Sequence, residues 1–339
     1  MPLGRIWKKC LVIEPITVEI AANVLNIDPL KSLINKSRAI AILGMHRSGT
    51  STVARAINLM GVPLGEVEKM MPPNRGNSEG YWEHLEINDF QIRLMARLRR
   101  DWDAAEPLPE GWLQSEAVKP FKAELTKIIA ANFGGRPIWA WKEPRSCVLL
   151  PLWREVLAAA QIELSCLFVV RNPVDVAGSL MRRDGIPFNR AVAIWFHYNM
   201  VALQDAAGLP VVFLSYEKLL AGWEPEMRRC VDALKLDWPA DAQKYQTAMD
   251  TFIQPGLQHN RTSVNRLQEL APPVQELYQV LLAASRQRPA NEAQFLATVE
   301  RLSKDFQPYA PKLLHLLPGK KIYRSLCKRV VRAYDWLRP

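Results

Sequence analysis

Apolar and polar positions along this chain follow two rhythms, and the places where one gives way to the other mark its elements. Short, mostly apolar runs near 39–44, 138–142, 164–170 and 210–215 have the length and composition of strands buried on both faces. After each run, apolar residues recur every three or four positions, as in a helix with one buried face. The clearest case is RAVAIWFHYNMVALQDAA over 190–207. Alternating strands and helices predict an α/β fold of three layers, a central parallel sheet flanked by helices. Residues 101–118, which include Trp102, Pro107, Pro109 and Trp112, break both rhythms and predict a long ordered loop or cap. Helical spacing resumes over 271–307, after Ala271-Pro272-Pro273. The pattern divides the chain into an N-terminal extension (1–37), a domain over 38–310 whose motifs lie within 38–235, and a C-terminal tail (311–339).

The first strand runs into the most informative loop. In IAILGMHRSGTST (40–52) an apolar run ends at Gly44, the loop carries Arg47 and Gly49, and three hydroxyl residues open a helix. Strand, glycine loop and helix in that order make a phosphate cradle, because unpaired N–H groups at a helix N-terminus point at an anion. The spelling is G-x-x-x-x-G, but Thr50 stands where a Walker A loop has its Lys. No side chain here reaches along a triphosphate. Arg47 instead offers a planar fork suited to two oxygens of one phosphate or sulfate.

A second segment, LSCLFVVRNPVDVAGSLMRR (164–183), repeats the plan with a strand, Arg171, a turn and a helix. Asn172 is a natural N-cap and Pro173 suits the first helical position. Ser179, less than two turns beyond Pro173, can turn its hydroxyl toward the anion that Arg171 faces.

Together these residues resemble the sulfotransferases that use 3′-phosphoadenosine 5′-phosphosulfate (PAPS), and in particular the bacterial branch with a P-loop-type fold. The 5′-phosphosulfate loop of that family, (K/R)-S-G-T-(S/T), is matched by Arg47, Ser48, Gly49, Thr50 and Ser51. Its 3′-phosphate motif, Arg and Ser eight apart, is matched by Arg171 and Ser179. G-Y-W-E (80–83), W-K-E-P-R (141–145) and V-R-N-P (170–173) follow in the family order. The resemblance implies a PAPS co-substrate, PAP as product, and no metal. It implies Glu83 as the base for an acceptor hydroxyl, with His84 and Glu86 as neighbours and Glu143 as another carboxylate able to serve or to orient Lys142. Lys142 would stabilise the charge that develops on the leaving phosphate oxygen, beside Arg47. Arg261 would come from a late basic loop to the 3′-phosphate, and Tyr216 and Glu217 would brace the site from the sheet. Two other classes stay open: a small-molecule P-loop kinase, and a catalytically silent nucleotide-binding adaptor on the same fold.

Composition adds a compartment and a tail. The five Cys, at 10, 147, 166, 230 and 327, have no framework spacing, so a reducing, cytoplasmic setting is expected. No run is long and apolar enough to cross a bilayer. The net charge of +10 is uneven, with +8 of it in residues 301–339. That is a basic tail rather than the basic face of a nucleic-acid binder, and no nucleic-acid partner is expected. Over 319–339 basic residues alternate with Ile322, Leu326, Val330, Tyr334 and Leu337 at helical spacing. An amphipathic basic helix of this kind suits peripheral contact with anionic lipid at the inner face of a membrane, or packing on the enzyme. For the acceptor, Trp82, Trp102, Trp112, Trp139 and Trp141 suggest flat faces for sugar rings, which favours a glycan or lipid-linked saccharide over a small-molecule hydroxyl. Nothing in the pattern specifies an oligomeric state.

Overall fold

The computed structural model describes residues 37–73, 80–253 and 264–310. The N-terminal extension up to residue 36, Arg261 and the tail from 311 onward lie outside the described residues. Four strands, β1 (Arg38–Leu43), β2 (Ile138–Lys142), β3 (Glu163–Val170) and β4 (Val211–Ser215), form one sheet in the order β2-β1-β3-β4. Every pairing is parallel, with Ile40 opposite Ala140 on one side and Ser165 on the other.

Parallel neighbours need crossovers, and helices supply them. Between β1 and β2 come α1 (Thr50–Leu59), α2 (Leu85–Arg97) and α3 (Lys119–Phe133). α4 (Ser146–Ala159) links β2 to β3, and α5 (Pro173–Asp184) and α6 (Phe188–Asp205) link β3 to β4. After β4 the chain continues as α7 (Tyr216–Ala221), α8 (Trp223–Leu234), α9 (Ala242–Phe252), α10 (Pro272–Arg286) and α11 (Glu292–Phe306). The 271–307 stretch is therefore two helices, and the 101–118 cap carries one short 3-10 turn at Trp112–Gln114.

Side chains alternate across the strands and feed two cores. Ala39, Ala41, Trp139, Trp141, Cys166 and Phe168 face one layer with α2, α3, α4 and α6. Ile40, Ile42, Ala140, Leu167, Val169 and Leu214 face the other, with α1, α8 and α9. On the first face small residues of β1 lie beside the large rings of β2. There Phe133 stacks on Trp139 at 4.1 Å between centroids, and Trp141 stacks on Trp153 at 4.1 Å. The indole N–H of Trp139 donates to Ser37 Oγ at 3.0 Å, and that of Trp141 to Ser146 Oγ at 3.0 Å. Both rings are fully buried. They are core, and the expectation that they offer faces to a sugar is corrected here.

The strand order also locates the site. From β1 the chain crosses toward β2, and from β3 it crosses toward β4, so the two connections diverge. A crevice opens between the carboxyl ends of β1 and β3, where open α/β sheets place their ligands. The loop of Arg47 and the turn of Arg171 leave the sheet at those two ends.

Trp141→Ala removes a ring packed on two sides and should cost about 3–5 kcal/mol of stability. Urea unfolding would measure the loss.

Candidate active site

The loop after β1 holds its shape through two glycines. Gly44 has φ +152°, and a Cβ there would come within 2.8 Å of Thr50 Cγ2. At Gly49, φ is +88° and a Cβ would overlap the Tyr216 ring. Arg47 also has a positive φ, 68°, a strained conformation for a side-chain-bearing residue. Inside the turn, Ser48 N donates to Met45 O at 3.0 Å, and Gly44 N to Cys147 Sγ at 3.2 Å. α1 then begins at Thr50 with Gly49 as N-cap, no side-chain cap and no acid in its first turn. The positive end of this helix thus has no acid of its own first turn to offset it.

Arg171 meets this loop from β3. Its Nη1 donates to Arg47 O at 2.8 Å, and its guanidinium lies 4.6 Å from the Tyr216 ring centroid. Arg171 is buried, and its Nε has no hydrogen-bond partner among the described residues. A buried donor of this kind can serve an anion or a water. Asn172 caps α5 by accepting from Val174 N at 2.9 Å, as its spacing predicts. Glu217 accepts from Asn172 N at 2.9 Å and from Ser215 Oγ at 3.1 Å, tying the end of β3 to α7. Ser179 Oγ accepts from Arg47 Nε at 2.9 Å. Arg47, Arg171 and Ser179 are thus one connected group around the cradle.

On the other flank, β2 delivers Lys142. Its Nζ donates to Glu83 Oε1 at 2.5 Å and to Ser51 Oγ at 3.3 Å. Both Lys142 and Glu83 are buried, so the pair sits in low dielectric beside the first turn of α1. Asn88 Nδ2 donates to the second carboxylate oxygen, Glu83 Oε2, at 3.0 Å. The two other carboxylates considered for the base are bonded to other partners. Glu86 is exposed on α2, 3.6 Å from Lys69 Nζ and 2.9 Å from Asn132 Nδ2. Glu143 is fully buried, bonded to the Arg145 guanidinium, and accepts from Arg145 N at 2.8 Å. It is Glu83, not Glu143, that holds Lys142. His84 packs near Phe133, its ring 6.1 Å away.

Burial raises the Glu143 carboxyl to about 7, against the pull of Arg145. His46, inside the loop, is held well below the usual imidazole range by burial and by Arg145, Arg183, Lys142 and Arg47, so it is neutral. Its ring leans on Trp102 at 4.6 Å between centroids. The Trp102 segment is clamped to α6, where Tyr198 donates to Trp102 O at 2.7 Å and Arg190 to Asp103 O at 3.0 Å. Within the cap expected over 101–118, Trp102 therefore lies against the loop after β1. Sequence reasoning missed Asn88, Arg145 and His46 as neighbours of the site, although His46 adjoins Arg47 and Arg145 closes the W-K-E-P-R run.

With the geometry in place, residues 39–240 match the model of the Sulfotransferase family. The chain belongs to this family. No curated protein matches it. Two solved structures resemble the sulfotransferase chain at low similarity. One is a sulfotransferase domain from the curacin biosynthetic pathway, at 15% identity and a TM-score of 0.37, covering 73% of this chain and 98% of that one. The other is a sulfotransferase from Mycobacterium tuberculosis, at 13% identity and a TM-score of 0.35, covering 79% and 82%.

Gly49→Ala puts a methyl group against Tyr216 in a left-handed turn and should destabilise the sulfotransferase by roughly 2–4 kcal/mol in urea unfolding. Glu143 makes a pH prediction. Its ordinary value is 4.5 and its folded value about 7, so between them the folded state binds the extra proton. The contribution of this group to stability is complete below about 4.5 and is lost as pH rises to 7. Glu143→Gln should flatten the fall in melting temperature across that window. Part of the slope will remain, because burial raises Asp205 to about 7 as well.

Proposed function

We propose that this sulfotransferase moves the sulfuryl group of PAPS to an acceptor hydroxyl, with PAP as the other product. The observation that carries the reading is one run of contacts around the α1 N-terminus. Ser179, Arg47 and Arg171 lie on one side of it, and Ser51, Lys142 and Glu83 on the other. Two arginines and an uncapped helix suit the two anionic ends of the bisphosphate, and the unsatisfied Arg171 Nε fits a phosphate oxygen. Ser48, Gly49, Thr50 and Ser51 would line the 5′ end through backbone and hydroxyl donors. Arg261 remains a proposal for the 3′ end.

PAPS brings an already activated sulfuryl group, so the protein has to position it and balance charge. Glu83 takes the acceptor proton as the acceptor oxygen bonds to sulfur. Arg47 and Lys142 meet the negative charge gathering on the phosphate oxygen as its bond to sulfur breaks. The half-buried face of Trp102 beside the loop supports a glycan or lipid-linked saccharide as acceptor. We take 38–310 as the catalytic unit, since Val274, Leu277, Leu281 and Leu302 of α10 and α11 share the core of the sheet. No helix of the described residues is long and apolar enough to cross a membrane. A cytoplasmic enzyme, with the 319–339 tail touching anionic lipid, is our proposal for its place in the cell.

Calorimetry with PAP tests the donor. Tight binding of PAP, with AMP much weaker, is expected, and equal binding of ADP, AMP and PAP would refute the assignment and favour a kinase or silent adaptor. Arg171→Ala should weaken PAP at least tenfold and AMP little, as one charged hydrogen-bonding partner is lost.

A further inference from the structure

A general base that is already bonded to a cation must be released before it can act, and Glu83 is bonded on both oxygens. Oε1 accepts from Lys142 at 2.5 Å and Oε2 from Asn88 at 3.0 Å. These two partners differ in kind. Lys142 carries a charge on a long stem, and its Nζ already touches the phosphate loop through Ser51 Oγ at 3.3 Å. Asn88 is a short neutral amide on the second turn of α2, the helix that starts two residues after Glu83. Among the described residues, Glu143 and Arg145 are also close enough to act on this carboxylate, both from the turn after β2 and bonded to each other.

We infer that donor binding transfers Lys142 from Glu83 to the phosphosulfate, and that Asn88 is the positioning residue holding Glu83 in place once the lysine has left. The inference rests on the reading of Glu83 as base. An anion at the α1 N-terminus competes with Glu83 for the same ammonium group, which lies within reach of both. Once Lys142 turns away, the carboxylate has lost its cation and gained an anionic neighbour, and both changes make it a better proton acceptor. A neutral amide then fixes the geometry of the carboxylate without a second positive charge to weaken its basicity. Before the donor arrives, the base is masked, so the order of binding is written into the ion pair.

Two measurements test this. The first is calorimetry with PAP near pH 6.5 in MES and in imidazole, using the Glu143→Gln background so that this neighbour does not titrate. The chain carrying Glu83 should take up more protons on binding than its Glu83→Gln counterpart. Equal proton counts, with PAP still bound, overturn the transfer and leave the donor assignment intact. Absence of PAP binding by the wild type sinks the donor assignment instead.

The second follows PAP release from PAPS with water as acceptor. Asn88→Ala should slow release about tenfold while PAP affinity stays within twofold. Asn88→Asp, which sets a like charge beside the base, should move the acid side of the rate–pH profile up by about one unit. A merely structural role would lower stability and affinity without moving that profile. If the profile stays in place, or donor affinity falls as far as the rate does, Asn88 does not position the base.

Discussion

Burying a cation in a protein interior costs several kcal/mol unless an anion or a set of acceptors answers it, and this molecule gathers cations around one short loop. How each is answered shapes the rest of the site. Lys142 is paired with Glu83 and Arg145 with Glu143. Among the described residues, Arg171 donates to a backbone carbonyl and lies against the Tyr216 ring. The cations gather at a helix N-terminus that is itself positive, and with burial, the larger cause, they hold His46 neutral. Such a concentration of positive charge is costly by itself and becomes favourable when an anion answers it.

The sheet brings these charges together. With β1 between β2 and β3, the loops after all three strands end at one edge, and their side chains converge although they lie up to 124 residues apart. Tyr216 at the end of β4 completes the floor, under Gly49 and against Arg171. The aromatic row behind β2 has a quieter part. Stacked rings and indole hydrogen bonds to Ser37 and Ser146 stiffen the strand that presents Lys142, so its ammonium group is aimed by a rigid element.

Much of the fold was legible because strand and helix periodicity are local properties. The four strands fall within a residue of the expected runs, and Asn172 caps its helix through its own side chain, a contact spanning two residues. Where the reading went astray, burial decided the outcome. Trp139 and Trp141 look like candidate sugar platforms in a list of tryptophans, but they sit on the inward face of the edge strand β2 and are covered by α3 and α4. Glu143 adjoins Lys142 in sequence, yet it lies just past the end of β2 and is bonded to Arg145, so the neighbour in sequence is not the partner in space.

The amino-acid sequence by itself determined the α/β class, the glycine-shaped anion loop, the second Arg–Ser motif and the family to which the chain belongs. These depend on spacing within a few residues, and short-range geometry is set by the backbone. Only the tertiary structure decided which carboxylate holds Lys142, that Asn88 shares Glu83, and that Trp102 lies against the loop. Those contacts join segments brought together by strand order and helix packing, and no local pattern encodes which of several nearby charges will meet when the chain closes.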